Sequence, residues 1–219
     1  MENLMKITLF IHAFSGGISL IAGLIAMLAK KGQKWHLKSG LIYYWGMMAV
    51  VITGVILGLY RTNIFILTIA VFSFYLVFTG RRTLAFKKAL NPTFIDWFFN
   101  LICLLIGLYM LYLAIINFIK IGFASAVPML FVFGFFLTLM CLQDLRVFLN
   151  KKYKKGQWLL THIGRMCGSY IATSTAFLVV NIHVEPQWII WLMPTAVGTP
   201  LIFWATGLWK KKFGIKEIN

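Results

Sequence analysis

Acidic residues are scarce in this sequence, which has five Asp and Glu against 21 Lys and Arg in 219 residues, 61% of which are hydrophobic. So little acidic charge in so apolar a chain excludes an ordinary soluble domain and is typical of a multi-pass membrane protein. The net charge of +16 would suggest nucleic acid as a partner of a soluble protein. Here the basic residues form short clusters between apolar runs, as membrane topology requires, so we expect no nucleic-acid partner.

Cysteine is scarce as well. Cys103, Cys141 and Cys167 are far apart, form no CxxC pair and fall within apolar segments, so we expect neither a disulfide framework nor a thiolate metal site. The sequence also lacks a Gly-rich phosphate loop, a GxSxG nucleophile elbow, an HExxH motif and a row of intramembrane carboxylates. These absences remove the usual signatures of nucleotide-binding proteins, serine hydrolases, zinc proteases and proton-driven pumps.

Long apolar runs take up most of the chain. A helix that crosses the hydrocarbon core of a bilayer needs about 20 apolar residues, and seven segments meet that length. The sequence therefore predicts an all-α polytopic membrane protein, with residues 1–219 forming one transmembrane domain in the lipid bilayer. The predicted spans cover approximately residues 4–29, 37–60, 62–80, 94–119, 124–145, 158–182 and 188–209.

The basic residues between the spans predict the orientation. Seventeen of them lie on one side of the predicted membrane, against Lys6, Arg61 and Lys120 on the other. Because loops rich in Lys and Arg stay in the cytoplasm, we expect the N-terminus outside and the C-terminus inside, in the inner (cytoplasmic) membrane of a bacterium. The seventeen are Lys30, Lys31, Lys34, Lys38, Arg81, Arg82, Lys87, Lys88, Arg146, Lys151, Lys152, Lys154, Lys155, Lys210, Lys211, Lys212 and Lys216.

The sixth predicted span carries two side chains that hydrocarbon does not favour. His162 and Arg165 are one helical turn apart and share a face. An arginine inside a span costs roughly 2.5 to 3.5 kcal/mol on insertion scales, so it should face protein, a cofactor or water. We therefore predict that this face of the sixth span is turned toward other helices or a ligand.

Four more polar residues fall in the same leaflet, on the basic side. His36 lies at the start of the second span, Asp96 and Asn100 lie one turn apart at the start of the fourth, and Asp144 lies at the end of the fifth. Because a buried charge needs a partner, we expect Arg165 to pair with Asp144 or with Asp96. The predicted polar cluster is thus Asp96, Asn100, Asp144 and Arg165.

Two further histidines lie toward the opposite side. His12 is about a third of the way through the first span, and His183 follows the sixth. They are candidates for a second, outer cofactor site, although their depths match poorly. His12 can equally donate a hydrogen bond to a backbone carbonyl or to Ser15.

Two of the basic loops read alike. KKGQKWHLKSG (30–40) leads into the second span and KKGQWLLTHIGRMCGS (154–169) into the sixth, and both give basic residues, Gly-Gln, a tryptophan, a histidine and then glycine. One interpretation is a parallel repeat that relates the first two spans to the fifth and sixth. The other is that any inside loop collects lysine, glycine and tryptophan.

The polar residues of the basic leaflet admit several interpretations. Asp–Arg and Asp–His pairs can simply clamp helices together. His36 and His162 can ligate a b-type haem whose propionates meet Arg165 or loop lysines, which gives a haem- or quinone-linked redox or ligand-binding protein. His36, His162 and Asp144 can instead hold zinc with an open position for water, as in a zinc-dependent membrane hydrolase. A non-catalytic transporter or a membrane-complex assembly factor is the remaining alternative.

Several motifs together resemble a known family. They are His12 with Gly16 and Gly17 in the first span, the KG…WH-x(3)-G connection over 31–40, HIGRMCGSYIATSTAFLVVN (162–181) and PTAVGTP (194–200). With them the chain resembles the DUF2306 group of bacterial multi-pass membrane proteins over nearly its whole length, and the motif around His162 and Arg165 is the specific part. The resemblance implies a membrane fold and a set of polar positions, but no reaction.

Overall fold

The computed structural model of this chain describes residues 2–123, 127–151 and 155–212. These residues form seven long helices and one short 3₁₀ helix, Thr83–Lys87, with no strand among them. The long helices are α1 (Glu2–Leu28), α2 (Lys34–Tyr60), α3 (Ile64–Arg82), α4 (Phe94–Ile121), α5 (Val127–Asn150), α6 (Gln157–Asn181) and α7 (Trp188–Lys212).

All seven of these described helices are long and apolar enough to cross a membrane. This confirms the prediction of an all-helical chain with seven helices of membrane-spanning length, and each helix overlaps its predicted span. The first residues of the predicted fifth span, 124–126, lie outside the described residues, as do the basic residues Lys152, Lys154 and Lys216.

Four of the helices form a ring around a shared interior. α1 packs along α2, α2 along α3, α3 along α6, and α6 returns to α1. The diagonal helices stay apart, since in the described part of the chain no Cα atom of α2 lies within 8 Å of one in α6. Tyr43 of α2 spans this gap, and its hydroxyl lies 2.5 Å from the Oγ of Ser169 in α6. The ring is therefore closed by side chains across its α2–α6 diagonal.

α3 joins the ring to the remaining helices. α4 and α5 pack against α3 and against each other, and α7 packs against α6 and α5. A large buried apolar cluster lies between α3, α4 and α5 and includes Tyr75, Met110 and Leu137. Large apolar side chains such as Leu105 and Phe203 face outward. Because lipid is as apolar as these side chains, close packing and polar contacts, rather than the hydrophobic effect, hold such helices together.

The helix pairing does not follow the suggested internal repeat. α1 and α2 pack along each other, but no Cα atom of α5 lies within 8 Å of a Cα atom of α6 among the described residues. The first two helices and the fifth and sixth are therefore not equivalent pairs. Pro194 and Pro200 lie inside α7, which stays helical across both, as transmembrane helices tolerate.

α4 and α5 approach each other closely at a pair of glycines. A Cβ atom added at Gly134 would lie 2.9 Å from the Cβ of Met110 and 3.2 Å from the carbonyl oxygen of Gly107. The carbonyl oxygen belongs to the backbone, so rotating a side chain cannot make room for the added atom. Gly134 is therefore required by packing, as small residues commonly are between membrane helices.

We predict that Gly134→Ala lowers the free energy of unfolding by about 1–3 kcal/mol relative to Gly17→Ala, because the new methyl group overpacks the α4–α5 contact. Gly17 is the matched control, since a Cβ atom there meets nothing within 4 Å and alanine improves helix propensity equally at both sites. Unfolding of the detergent-solubilised protein, followed by circular dichroism, measures the difference. Equal stability of the two variants would contradict the close approach.

Candidate functional site

Arg165 lies in the interior of the bundle, 6% exposed and about 12 Å along the axis of α6 from its first residue. Its Nη2 donates to both carboxylate oxygens of Asp144 at 3.1 Å and to the carbonyl oxygen of Met140 at 3.2 Å. Its Nη1 donates to Thr79 Oγ1 at 3.3 Å. Asp144 and Met140 are on α5, whose backbone does not approach α6. The long Arg165 side chain therefore connects α6 to α5 across the space beside α3.

Tyr75 and Asn100 extend this network into α3 and α4. The hydroxyl of Tyr75 donates to Asp144 Oδ2 at 2.6 Å and accepts a hydrogen bond from Asn100 Nδ2 at 2.8 Å. Asn100 Nδ2 also donates to the carbonyl oxygen of Cys141 at 3.0 Å, and the guanidinium carbon of Arg165 lies 5.2 Å from the centre of the Tyr75 ring. Helices α3, α4, α5 and α6 therefore meet in one polar network.

A second ion pair, with a buried carboxylate and a partly exposed guanidinium, joins the end of α3 to the start of α4. Arg82 Nε donates to Asp96 Oδ1 at 2.7 Å and its Nη2 to Oδ2 at 2.9 Å, while the Asp96 side chain is 2% exposed. Asp96 Oδ2 also accepts from the backbone N–H of Thr93 at 2.6 Å, within a capping box that closes the first turn of α4. Of the two partners that the sequence allowed for Arg165, the structure uses Asp144.

A small cavity lies beside the two ion pairs. Its volume is about 20 Å³, which is room for about one water molecule. Each ion pair is neutral as a whole, so a neutral polar molecule such as water suits the cavity better than an ion. The space is too small for a metabolite, and the network around it acts chiefly as a helix clamp. The lining residues are Tyr75, Phe78, Thr79, Arg82, Thr83, Phe86, Asp96, Asp144, Val147, Phe148 and Thr161.

The two histidines of the basic end are held in the same way. Nδ1 of His36 lies 2.9 Å from the carbonyl oxygen of Ala26 in α1, and Nδ1 of His162 lies 2.7 Å from that of Gly80 in α3. A carbonyl can only accept, so Nδ1 must be the donor in both rings. A neutral ring then keeps its lone pair on Nε2, which has no hydrogen-bond partner among the described residues.

Both histidine bonds have a structural use as well. Ala26 and Gly80 lie in the last turns of α1 and α3, where backbone carbonyls have no partner within their own helix. Lys31, in the α1–α2 connection, donates to Ala26 O at 3.2 Å and also to Met27 O. Partial burial lowers the pKa of Lys31 from its ordinary value. Lys31 and His36 therefore cap α1 together.

The structure does not gather the residues of the predicted zinc site. Asp144 is occupied by Arg165 and Tyr75, on the side of α6 that faces α5, whereas His36 bonds to α1 and His162 to the end of α3. The described residues contain no group of three His, Cys, Asp or Glu side chains that could hold a metal ion. Similar depth in the membrane did not place these three residues together laterally.

The two outer histidines lie in different settings. Nδ1 of His12 is 2.9 Å from Thr53 Oγ1 of α2. The Thr53 hydroxyl itself donates to Ala49 O at 2.6 Å, so the histidine N–H is the donor to Thr53. His183 is exposed in the connection between α6 and α7. The sequence suggested a backbone carbonyl or Ser15 as the partner of His12, and the side-chain partner in the structure is Thr53. No described contact joins His12 to His183.

Sequence reasoning missed three members of the networks, namely Tyr75, Thr79 and Arg82. Arg82 was counted only among the loop charges that set topology, and the other two looked like ordinary residues of an apolar span. Their one sequence signal is position, because Tyr75, Thr79 and Arg82 recur at intervals of four and three, along one face of α3. That spacing shows a shared face but does not show which helix the face meets.

The fold defines this chain as a multi-pass membrane protein with seven helices of spanning length. No protein-family model matches the chain, and no curated protein or solved structure matches it either. The resemblance to DUF2306 is therefore a proposal, which is taken up below with the function.

We predict that Asp144→Asn lowers the free energy of unfolding by about 3–5 kcal/mol, because it leaves the Arg165 guanidinium buried without its counter-charge. The double change Asp144→Leu with Arg165→Met should recover much of this loss, since an apolar pair can replace a buried ion pair. Unfolding in detergent of Asp144→Leu, Arg165→Met and the double variant, compared with the wild type in one double-mutant cycle, measures the coupling.

The exposed ion pair between Lys6 and Glu2 is the control for this cycle. Their side chains are 70% and 79% exposed, so Glu2→Gln should change stability by no more than about 1 kcal/mol. If Asp144→Asn were as mild as Glu2→Gln, the Arg165–Asp144 pair would not be the clamp described above.

Proposed function

We propose that this chain is a redox protein of the bacterial inner membrane that binds a b-type haem, which His36 and His162 would hold. One observation carries the proposal. Two histidines lie on diagonal helices of the ring, at the same end. Each donates from Nδ1 to a carbonyl, and Nε2 of each has no hydrogen-bond partner among the described residues. His12 and His183 do not share this arrangement.

The chemistry of histidine ligation supports this choice of residues. A histidine that binds a metal through one ring nitrogen usually donates the other N–H to a carbonyl or carboxylate, which fixes the tautomer and the direction of the ring. His36 and His162 have that second bond in place. Axial histidine is a common way to hold haem iron, so the residues present fit the group.

The backbones of α2 and α6 keep apart across the ring. Tyr43 and Ser169 close the gap about two helical turns beyond His36 and His162, so a haem would lie at the basic end. Arg165 is occupied by Asp144, so we assign the propionates to Lys34 and Lys38, which are exposed on either side of His36. A bound haem supplies one-electron transfer, and we propose a lipid-soluble quinone as the redox partner.

Family and orientation belong to the same proposal. We propose membership of the DUF2306 group on the motifs around His36, His162 and Arg165, and a location with the N-terminus outside and the C-terminus inside. The orientation rests on the basic residues that cluster at one end of the helices, because such loops remain in the cytoplasm.

The protein purified in detergent, or reconstituted with added haem, should show a Soret band that shifts on reduction. His36→Ala and His162→Ala should each abolish that spectrum, because both histidines would be needed to hold the haem. Visible spectroscopy and iron analysis measure both effects, and imidazole added to His162→Gly should restore part of the band.

His183→Ala is the control, since His183 is exposed in the α6–α7 connection and its removal should leave the spectrum unchanged. A protein that stays colourless after haem is added would overturn the haem proposal. So would a Soret band that survives the loss of both His36 and His162.

For the orientation, green fluorescent protein fused after Asn219 should fluoresce in bacterial cells, and alkaline phosphatase fused at the same place should be inactive. The physical reason is that phosphatase folds only on the outer side, where its disulfides form. The reciprocal fusion before Met1 serves as the control. An active C-terminal phosphatase would reverse the proposed orientation.

A non-catalytic role, as a transporter or as an assembly factor for a larger membrane complex, is the second candidate. It is favoured by the Arg165 and Asp96 networks, whose charged groups bond to each other and enclose only about 20 Å³. Partners that co-purify with a haem-free protein would support it. Loss of those partners from a variant that remains folded would then locate the contact surface.

A further inference from the structure

We propose that the basic end of this protein binds the phosphate of an anionic phospholipid at a site formed by Arg81, Lys87 and Trp158. This headgroup site lies where the end of α3, the 3₁₀ helix and the start of α6 meet. The proposal does not rest on the proposed redox function, because none of these three side chains belongs to the histidine site.

The first argument is a charge count at the basic end. Asp96 and Asp144 are the described carboxylates at this end, and each is bound inside the bundle to an arginine. Glu2 pairs with Lys6 at the opposite end of α1, and Glu185 lies in the α6–α7 connection. In the described part of the chain, therefore, no acidic side chain is left to neutralise the exposed lysines and arginines of the basic end.

The second argument is convergence of two cations on one stretch of α6. The Nζ atom of Lys87 lies 5.5 Å from the centre of the Trp158 ring. Gly80, the residue before Arg81, accepts from Nδ1 of His162 at 2.7 Å, so the backbone at Arg81 lies beside α6 one helical turn beyond Trp158. Arg81 and Lys87 are both exposed. Two exposed cationic residues are thus placed at the first two turns of α6.

The third argument is that the 3₁₀ helix is anchored rather than loose. Phe86 is buried and its ring lies 6.3 Å from that of Phe148 in α5, centre to centre. Thr83 is also buried, and its hydroxyl is 3.4 Å from the carbonyl oxygen of Trp158. These contacts fix the segment that presents Lys87, so less conformational entropy is lost when an anion binds there.

The ligand class follows from position and chemistry. Trp158 lies in the first turn of a membrane-spanning helix, and tryptophan prefers the headgroup level of a bilayer. Guanidinium and ammonium groups beside such a ring suit a phosphate at that level. An anionic phospholipid supplies a phosphate with an unbalanced negative charge, whereas the choline of phosphatidylcholine neutralises its own. We therefore assign the site to lipids such as phosphatidylglycerol.

Delipidated protein in detergent, titrated with phosphatidylglycerol, should show a rise in its thermal unfolding temperature and bound lipid in native mass spectra. Phosphatidylcholine should give neither effect. The double variant Arg81→Ala with Lys87→Ala should bind phosphatidylglycerol at least about fivefold more weakly, because each cation near an anionic headgroup contributes to affinity. High salt should weaken binding to the wild-type protein.

The matched control removes the same two charges elsewhere at the basic end. Lys30→Ala with Arg146→Ala takes away one lysine and one arginine, both exposed, and should leave the affinity close to that of the wild type. The charge-preserving double variant Arg81→Lys with Lys87→Arg should keep the affinity for phosphatidylglycerol. That result would show that a loss of affinity in the alanine variant comes from the lost charges and not from misfolding.

Three results would overturn the proposal. The first is equal binding of phosphatidylglycerol and phosphatidylcholine by the wild-type protein. The second is equal loss of affinity in the double variant and its matched control, which would mean a diffuse charge effect. The third is an equal effect of glycerol 1-phosphate at the same concentration, which would assign the site to free phosphate compounds instead of lipid.

Discussion

The ion pair between Arg165 and Asp144 is the contact on which the arrangement of α3, α5 and α6 depends. A guanidinium left alone in hydrocarbon is costly, and a buried pair is tolerated only when its remaining hydrogen-bonding groups also find partners. Arg165 meets that condition with the Met140 carbonyl and the Thr79 hydroxyl, and Asp144 meets it with Tyr75. Because α5 and α6 do not touch through their backbones, α3 must lie where its polar face completes the network.

The two histidine-bearing loops share a local role, which explains why they read alike without forming a repeat. His36 follows the α1–α2 connection and binds the last turn of α1, and His162 follows the α5–α6 connection and binds the last turn of α3. In each case a histidine near the start of one helix satisfies a carbonyl at the end of an adjacent one. His36 binds the helix that precedes it in the chain, whereas His162 binds α3, because α5 does not pack beside α6. The two loops are therefore similar because both cap the end of an adjacent helix, and not because a pair of helices is duplicated.

The lengths and composition of the apolar segments were enough to predict seven helices of spanning length, because the bilayer fixes how long an apolar helix must be. The same reasoning showed that Arg165 needed a carboxylate, but Asp96 and Asp144 have similar depths and only lateral packing distinguishes them. Tyr75 and Arg82 escaped prediction for a related reason, since the rotation of α3 about its axis decides whether those side chains meet lipid or protein. The zinc hypothesis is subject to the same limit, because it infers a cluster of side chains from their depth alone.

The clamp and the histidine site are linked through the rotation of α6. Arg165 and His162 are one turn apart on the same side of this helix, and Ser169, one turn beyond, meets Tyr43 of α2. The bond from Arg165 to α5 fixes how α6 is turned about its axis, and that rotation places His162 against Gly80 and Ser169 toward the ring interior. The Arg165–Asp144 ion pair, which lies on the side of α6 facing α5, thus determines which residues of α6 face the interior of the ring. The clamp is therefore a positioning element for His162 and Ser169, and its energetic cost in a membrane is understandable in those terms.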